Sequence, residues 1–131
     1  MREILSRGKT KDGEWAEGFY VFQEKEQCKD KPRNLIFRNN ALGVYGTEVI
    51  PETVGQYTEV KDIAKRKIFS GDITSFTTDL DEDCVGYVDY HKETASYRVF
   101  ADEYTSYILS HEHLSDLKII GNKTDNPELL A

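Results

Sequence analysis

Residues 84–100, CVGYVDYHKETASYRVF, contain two runs rich in valine and aromatic residues on either side of a polar segment. Such runs favour β-strands, and the polar residues 91–95 between them are typical of a turn. Comparable runs precede and follow this stretch at residues 73–76, 104–109 and 117–120. Five short strands at this spacing predict a small closed barrel of the SH3-like kind, because closure removes the unpaired edges of a flat sheet.

The N-terminal part of the sequence predicts a β-hairpin. Asp12 and Gly13 favour a tight turn because both residues tolerate positive φ, and the aromatic-rich residues 15–22 follow directly. Aromatic residues in both halves are best explained by packing. We therefore expect four of them to lie in or near the core: Trp15, Phe19, Tyr57 and Phe69.

Two proline-led segments predict short helical turns, because proline is favoured at the first position of a helix. They are PETVG at residues 51–55 and NPELL at residues 126–130. The sequence thus predicts a mainly β fold with one or two short helical turns. We expect an N-terminal β region (1–60), with its hairpin, to pack on a small SH3-like barrel with a C-terminal tail (61–131), and the two parts to share one core.

The charge is divided unevenly along the 131 residues, whose net charge is -7. Residues 1–67 hold 13 basic and 11 acidic groups, for a net +2, while residues 68–131 hold 4 basic and 13 acidic groups, for a net -9. This balance disfavours nucleic acid as the main ligand. A division of this kind is most often a well-solvated face, and it also fits an acidic surface for a basic partner or complementary patches that meet in a homo-oligomer; these alternatives stay open.

The apolar runs are too short for a membrane span, and the first residues contain no apolar stretch of the secretory kind. Two cysteines, Cys28 and Cys84, form no CxxC pair, and we expect both to be reduced thiols. The sequence therefore predicts a soluble cytosolic protein with no membrane association.

Acidic residues at positions 79–83 resemble the start of a calcium-binding loop without completing one. Cys84 stands where that loop needs glycine, and Tyr90 stands where it needs the bidentate glutamate, so we expect a solvated acidic loop. Within the acidic half, this loop supplies the candidate binding residues, which are Asp79, Asp81, Glu82 and Asp83.

Signatures of catalysis are missing from the sequence. No serine lies in a GxSxG turn, and the segment around His111 and His113 is not an HExxH motif. We expect no enzyme activity, no catalytic residues, no metal and no cofactor. One alternative stays open, a metal or enzyme site built from His91, His111 and His113. Another is a nucleic-acid-binding barrel that uses a basic connector, Lys61, Lys65, Arg66 and Lys67.

Several segments occur in an order that resembles the YopX family of phage and prophage proteins. They are MREILSRGK, DGEWAEGFY, PETVGQYTEVKD, KIFSGDI and IGNKTDNPELL. The resemblance implies a phage-encoded protein made in the cytoplasm of a bacterial host, mainly β, with an SH3-like barrel in its C-terminal part. It implies no catalytic residues, because no biochemical activity is established for the family.

Together these observations predict a non-enzymatic interaction module that binds a host or phage protein through its acidic half. A sharper version is nucleic-acid mimicry, in which carboxylates stand in for phosphates on a DNA-binding protein.

Overall fold

A computed structural model describes residues 2–24, 31–40 and 43–130. The chain forms two compact units, Met1–Tyr57 and Thr58–Ala131. The strands are β1 (Ser6–Lys9), β2 (Trp15–Gln23), β3 (Arg33–Asn40), β4 (Gly43–Glu48), β5 (Gly55–Lys61), β6 (Lys67–Phe69), β7 (Asp72–Thr77), β8 (Asp83–His91), β9 (Ser96–Phe100), β10 (Ser106–Ile108) and β11 (Ser115–Asn122). Short 3-10 turns at Pro51–Thr53 and Pro127–Leu130 complete the described structure. The prediction of a mainly β fold with one or two short helical turns is confirmed. The boundary expected at residue 60 and the shared core stay predictions.

The strands form two antiparallel sheets. The first has the order β4-β3-β2-β1-β5-β6, and the second has the order β10-β9-β8-β7-β11. Strand β5 begins in the first unit and ends in the second. The predicted N-terminal hairpin is confirmed, because β1 and β2 pair antiparallel with Lys9 opposite Trp15.

The face of β2 that packs inward is the opposite of the one predicted. Ala16 is buried and belongs to the core cluster of the first unit together with Ile36 and Val49, whereas Phe19 is 63% exposed. Gly18 shares the inward face, and a Cβ atom there would lie only 2.2 Å from the carbonyl oxygen of Phe37. Small residues therefore face the tightly packed side, and the prediction that Phe19 is a core residue is wrong.

The other predicted core aromatics are more buried than Phe19. Tyr57 and Phe69 are buried, as predicted. Trp15 is half-buried, and the guanidinium of Arg7 lies 4.7 Å from the centre of its ring. Trp15 therefore has a near-core position at which a cation covers part of its surface.

The second unit has its own hydrophobic cluster, which draws side chains from most of its strands and from the loop before β11. Its buried members are Ile68, Phe76, Val88, Val99, Leu109, Leu114 and Leu117. Phe76 also makes an edge-to-face contact with Tyr107, with the ring centres 5.5 Å apart. This cluster holds the five-stranded sheet in place.

The five-stranded sheet is not closed into a barrel within the described residues, so the SH3-like detail of the prediction is not confirmed. Its order ends at β10 on one side and at β11 on the other. The edge of β11 is instead covered by the connector, since the N–H of Ile63 donates to the carbonyl of Leu117 at 2.9 Å. Asp62 accepts a second hydrogen bond from the N–H of Ile119. The connector thus occupies an edge that a closed barrel would pair with a strand.

Across residues 2–24, 31–40 and 43–130, none of the helical segments has the length and apolar character needed to cross a membrane.

Candidate functional site

A cleft of about 370 Å³ lies in the second unit, between β10 and the loop that joins β7 to β8. We call it the edge cleft. Apolar, acidic and hydrogen-bonding side chains line it: Thr78, Asp79, Leu80, Glu82, Arg98, Ser106, Tyr107, Ile108 and His113. Two of the four predicted binding residues, Asp79 and Glu82, are among them.

One wall of the edge cleft is the acidic turn, residues 79–83. The hydroxyl of Thr78 accepts hydrogen bonds from the backbone N–H groups of Leu80 and Glu82, at 3.3 and 3.2 Å. The Thr78 N–H donates in turn to the carbonyl of Glu82 at 2.9 Å. Because these bonds close the turn on itself, its carboxylates are presented by an ordered backbone rather than by a free loop.

The four candidate carboxylates are all exposed, but they do not share one cavity. Asp79 and Glu82 line the edge cleft, and Asp81 is not part of its lining. Asp83 lines a separate cleft beside Cys84, and its carboxylate accepts a hydrogen bond from the hydroxyl of Thr77 at 2.9 Å. The acidic turn therefore presents negative charge to two sides.

The opposite wall of the edge cleft is strand β10. Arg98 on the neighbouring strand donates from Nε to the hydroxyl of Ser106 at 2.8 Å and from Nη2 to the carbonyl of Ser106 at 3.1 Å. Burial raises the pKa of Tyr107, and the nearby Cys84 thiol and Glu82 carboxylate raise it further. The phenol of Tyr107 is therefore neutral at pH 7 and serves as a hydrogen-bonding group, not as a charge.

Two apolar side chains complete the cleft. Leu80 is 80% exposed at the acidic turn, and Ile108 is 46% exposed on β10. Sequence reasoning found the acidic turn from its charge but missed the β10 wall. YTSYIL, residues 104–109, does not alternate strictly between polar and apolar residues, so the sequence carries no clear signal of which face of this strand is exposed.

The three histidines have separate surroundings. His91 contacts Glu93 and Thr94, at 3.1 and 2.9 Å. His111 donates from Nε2 to the backbone carbonyl of Lys61, whereas His113 lines the edge cleft. Among the residues with described positions, no group of three or more histidine, cysteine, aspartate or glutamate side chains is placed to hold a metal ion.

The basic connector is built around a buried carboxylate. Asp62 is 3% exposed, and Arg66 reaches it at 3.0 Å while donating to the carbonyl of Ile119 at 2.7 Å. Burial by itself raises the pKa of Asp62, but hydrogen bonds from the N–H groups of Arg66, Ile119 and Ala64, with the charge of Arg66, hold it below its ordinary value. Arg66 thus has a structural task, while Lys61 and Lys65 are exposed.

A second cleft, of about 490 Å³, lies in the first unit. Trp15 and Arg38 are among its lining residues. Arg38 donates to the hydroxyl of Thr47 at 3.2 Å, and its guanidinium lies 5.1 Å from the centre of the Tyr45 ring. Its Nε atom is buried without a hydrogen-bond partner among the described groups. Sequence reasoning did not find this cleft, because its walls come from segments that are distant in the chain.

The cysteines give no further site. Cys84 is a free, half-buried thiol, and Cys28 lies outside the described residues.

Comparison with known proteins gives one finding. No curated protein matches the chain. The family model described as YopX protein matches residues 7–131, which is nearly the whole sequence. This match confirms the resemblance carried by the segments from the N-terminal strands to the closing DNPELL, and the chain belongs to the YopX family.

Proposed function

We propose that this member of the YopX family is a phage-encoded, non-enzymatic interaction module. It acts in the cytoplasm of the bacterial host and binds a basic surface of a host or phage protein through its acidic half. The observation that carries the proposal is the acidic turn, which has four exposed carboxylates, two of which, Asp79 and Glu82, line the edge cleft together with exposed Leu80 and Ile108.

Charge and apolar surface have different tasks in such a site. Carboxylates that lie close together make the local electrostatic potential more negative. This speeds the encounter with a basic partner and disfavours acidic ones. Leu80 and Ile108 then supply apolar area that can be buried at the centre of an interface, where most binding energy is concentrated. The edge cleft combines both features within one unit of the protein.

The non-enzymatic part of the proposal is supported by how the reactive side chains are used. His91 pairs with Glu93, His111 donates to a backbone carbonyl, and Asp62 is engaged by Arg66. Nucleophilic catalysis needs a nucleophile beside a base that a third group orients. These contacts instead hold loops and connectors in place.

Capture from a bacterial lysate with immobilised protein tests the proposal. The cleft variant replaces all four candidate carboxylates by their amides: Asp79→Asn, Asp81→Asn, Glu82→Gln and Asp83→Asn. The matched control removes the same number of exposed charges from other surfaces: Glu17→Gln, Asp89→Asn, Glu93→Gln and Glu128→Gln. Both variants have the same net charge, so a difference between them reports on position.

We expect the parent chain and the control to capture the same saturable partner and the cleft variant to lose it. Displacement of that partner by duplex DNA would identify nucleic-acid mimicry. Equal capture by the cleft variant and the control, or no saturable partner at any salt concentration, would overturn the proposed function.

A further inference from the structure

The two edges of the five-stranded sheet differ in whether another segment covers them. On β11, the Leu117 carbonyl accepts from Ile63, the Ile119 N–H donates to Asp62, and the Ile119 carbonyl accepts from Arg66. On β10, the corresponding edge lines the edge cleft. Proteins usually cover or pair their sheet edges, because exposed edges present rows of unsatisfied backbone donors and acceptors. The open edge at β10 is therefore an exception within this unit.

The pairing of β10 with β9 shows which backbone groups face the edge cleft. Leu109 N–H donates to the carbonyl of Tyr97, and Ala101 N–H donates to the carbonyl of Thr105. In an antiparallel ladder, hydrogen-bonded pairs alternate with pairs whose backbone groups point away from the neighbouring strand. Ser106 and Ile108 alternate along β10 with these hydrogen-bonded positions. Their N–H and C=O groups therefore point to the outer side of β10.

Of these outward groups, the Ser106 carbonyl is taken by Arg98. Ser106 and Ile108 stand opposite Phe100 and Arg98 at the positions of the ladder that are not hydrogen-bonded, and in the part of the chain that the structure describes no backbone bond from a turn or loop reaches the Ser106 N–H or the N–H and C=O of Ile108. Three of the four outward backbone groups are thus available on one side of a short strand. An added strand needs groups of this kind in this alternation.

We propose that the edge cleft binds an extended basic peptide segment of the partner protein as an additional strand beside β10. This inference rests on the proposed function and specifies how that partner binds. The peptide backbone would pair with Ser106 and Ile108, and its side chains would meet Leu80 and the carboxylates of Asp79 and Glu82, which line the same cleft.

The charge around the edge cleft indicates whether a basic peptide or a second copy of this chain binds beside β10. Pairing of β10 with β10 of another copy would bring two acidic turns together, and like charges held close to each other are destabilising. Asp102 and Glu103, just before β10, add to the same negative surface. Arg98 keeps its positive charge when it donates to Ser106, but it is one cation against four nearby carboxylates, those of Asp79, Glu82, Asp102 and Glu103. A segment with alternating lysine or arginine is the complementary occupant.

The test uses the full chain and a synthetic peptide of alternating lysine and valine, with binding followed by fluorescence anisotropy. Two further peptides carry N-methyl groups on the backbone amides of either all lysines or all valines. Because alternate amides of a strand point to opposite sides, we expect one methylated peptide to bind at least about tenfold more weakly and the other to bind like the parent. A peptide of alternating glutamate and valine is expected not to bind.

A pair of protein variants separates the contribution of the Ile108 backbone N–H to peptide binding from the contribution of its side chain. Ile108→Pro removes the outward N–H without removing a ladder hydrogen bond, and proline is tolerated on edge strands. Ile108→Ala keeps that N–H and shortens the side chain. We expect Ile108→Pro to lose the lysine–valine peptide and Ile108→Ala to weaken it only severalfold. Amide exchange provides a measurement on the unmodified chain, in which Ser106 and Ile108 should gain protection when the peptide binds.

The outcomes distinguish strand addition from the proposed function. Equal binding of both methylated peptides, with no new protection at Ser106 and Ile108, would overturn strand addition even if the cleft variant still loses its partner. Failure of the lysine–valine peptide to bind at all would also overturn it. A dimer of the parent chain that dissociates in Ile108→Pro would show that a second copy occupies the edge, which contradicts the proposal.

Discussion

The Asp62 carboxylate accepts a hydrogen bond of 3.1 Å from the backbone N–H of Ile119, 57 positions further along the chain. The same carboxylate accepts hydrogen bonds from the N–H groups of Ala64 and Arg66, each at 2.9 Å. One buried side chain therefore shapes the connector and fastens it to the edge of β11. Because this edge is occupied, the sheet stays open and its free edge lies at β10.

Replacing Asp62 by asparagine should destabilise the protein. The amide nitrogen of asparagine cannot accept the hydrogen bonds that one carboxylate oxygen accepts, and the ion pair with Arg66 is lost. Losing a hydrogen bond to a charged group costs about 1–3 kcal/mol, and so does leaving a buried polar group without a partner. We therefore expect the free energy of unfolding to fall by about 2–3 kcal/mol. Urea denaturation measures this change. The exposed substitution Asp79→Asn serves as the control and should change stability by less than about 0.5 kcal/mol.

The lowered pKa of Asp62 predicts how stability depends on pH. Burial opposes ionisation, but the hydrogen bonds from Arg66, Ile119 and Ala64 favour the charged form more strongly in the folded state. A carboxyl whose pKa is lower in the folded than in the unfolded chain stabilises the fold fully above its unfolded pKa. That contribution is lost as the pH falls through the folded pKa.

We therefore expect the difference in melting temperature between the parent chain and Asp62→Asn to be constant near neutral pH and to narrow below about pH 4. Thermal unfolding followed by circular dichroism at several pH values measures it. Parallel curves for the two proteins down to pH 2 would contradict the role given to the Asp62 charge.

The positions of the strands could be predicted from sequence, but their buried faces could not be assigned reliably. Runs of valine, isoleucine and aromatic residues correctly marked β7, β8, β9, β10 and β11. In β2 the sequence predicted Trp15 and Phe19 in or near the core, yet Ala16 and not Phe19 packs inward. A period of two defines two faces, and the choice between them depends on the neighbouring strands. Here the backbone of Phe37 comes so close that only small residues fit.

For the candidate site, the sequence showed the charge but not the cavity. Asp79 and Glu82 were predicted because acidic residues cluster at the acidic turn, and the structure places them in the edge cleft. The opposite wall could not be predicted, because the expected barrel would have paired β10 with another strand. Which edge of a sheet stays open depends on contacts between distant residues, such as that of Asp62 with Ile119.

Gly18→Ala tests the close packing behind β2. The added Cβ atom would lie 2.2 Å from the Phe37 carbonyl oxygen, well inside any normal contact, and this neighbour is backbone that moves only with its strand. Overpacking of this kind costs about 1–3 kcal/mol or more, so we expect a marked loss of stability in chemical denaturation. The adjacent exposed substitution Glu17→Ala is the control. Equal stability of the two variants would show that the strands can separate at this point without cost.

Three truncations to alanine in the first unit should lower the free energy of unfolding in the order of how deeply each side chain is buried. Ile36 is fully buried, so Ile36→Ala should lower the free energy of unfolding by about 4 kcal/mol. Trp15 is half-buried and gains a cation–π contact with Arg7, and we expect Trp15→Ala to cost about 2 kcal/mol. Phe19→Ala, at a 63% exposed position, should cost less than about 1 kcal/mol. A larger loss for Phe19 than for Trp15 would mean that the outer face of β2 is covered in solution.

The division of charge predicts the salt dependence of any self-association. A half with net +2 and a half with net -9 on one chain attract copies of that chain to each other. Electrostatic screening acts over about 10 Å at 0.1 M salt and about 3 Å at 1 M, so such contacts should weaken as salt is added. Light scattering should then give a mass that falls towards that of one chain, and the fall should be smaller for the variant with four amides in the acidic turn. A mass above one chain that does not change up to 1 M salt would point to an apolar interface, because burial of apolar surface is not weakened by screening.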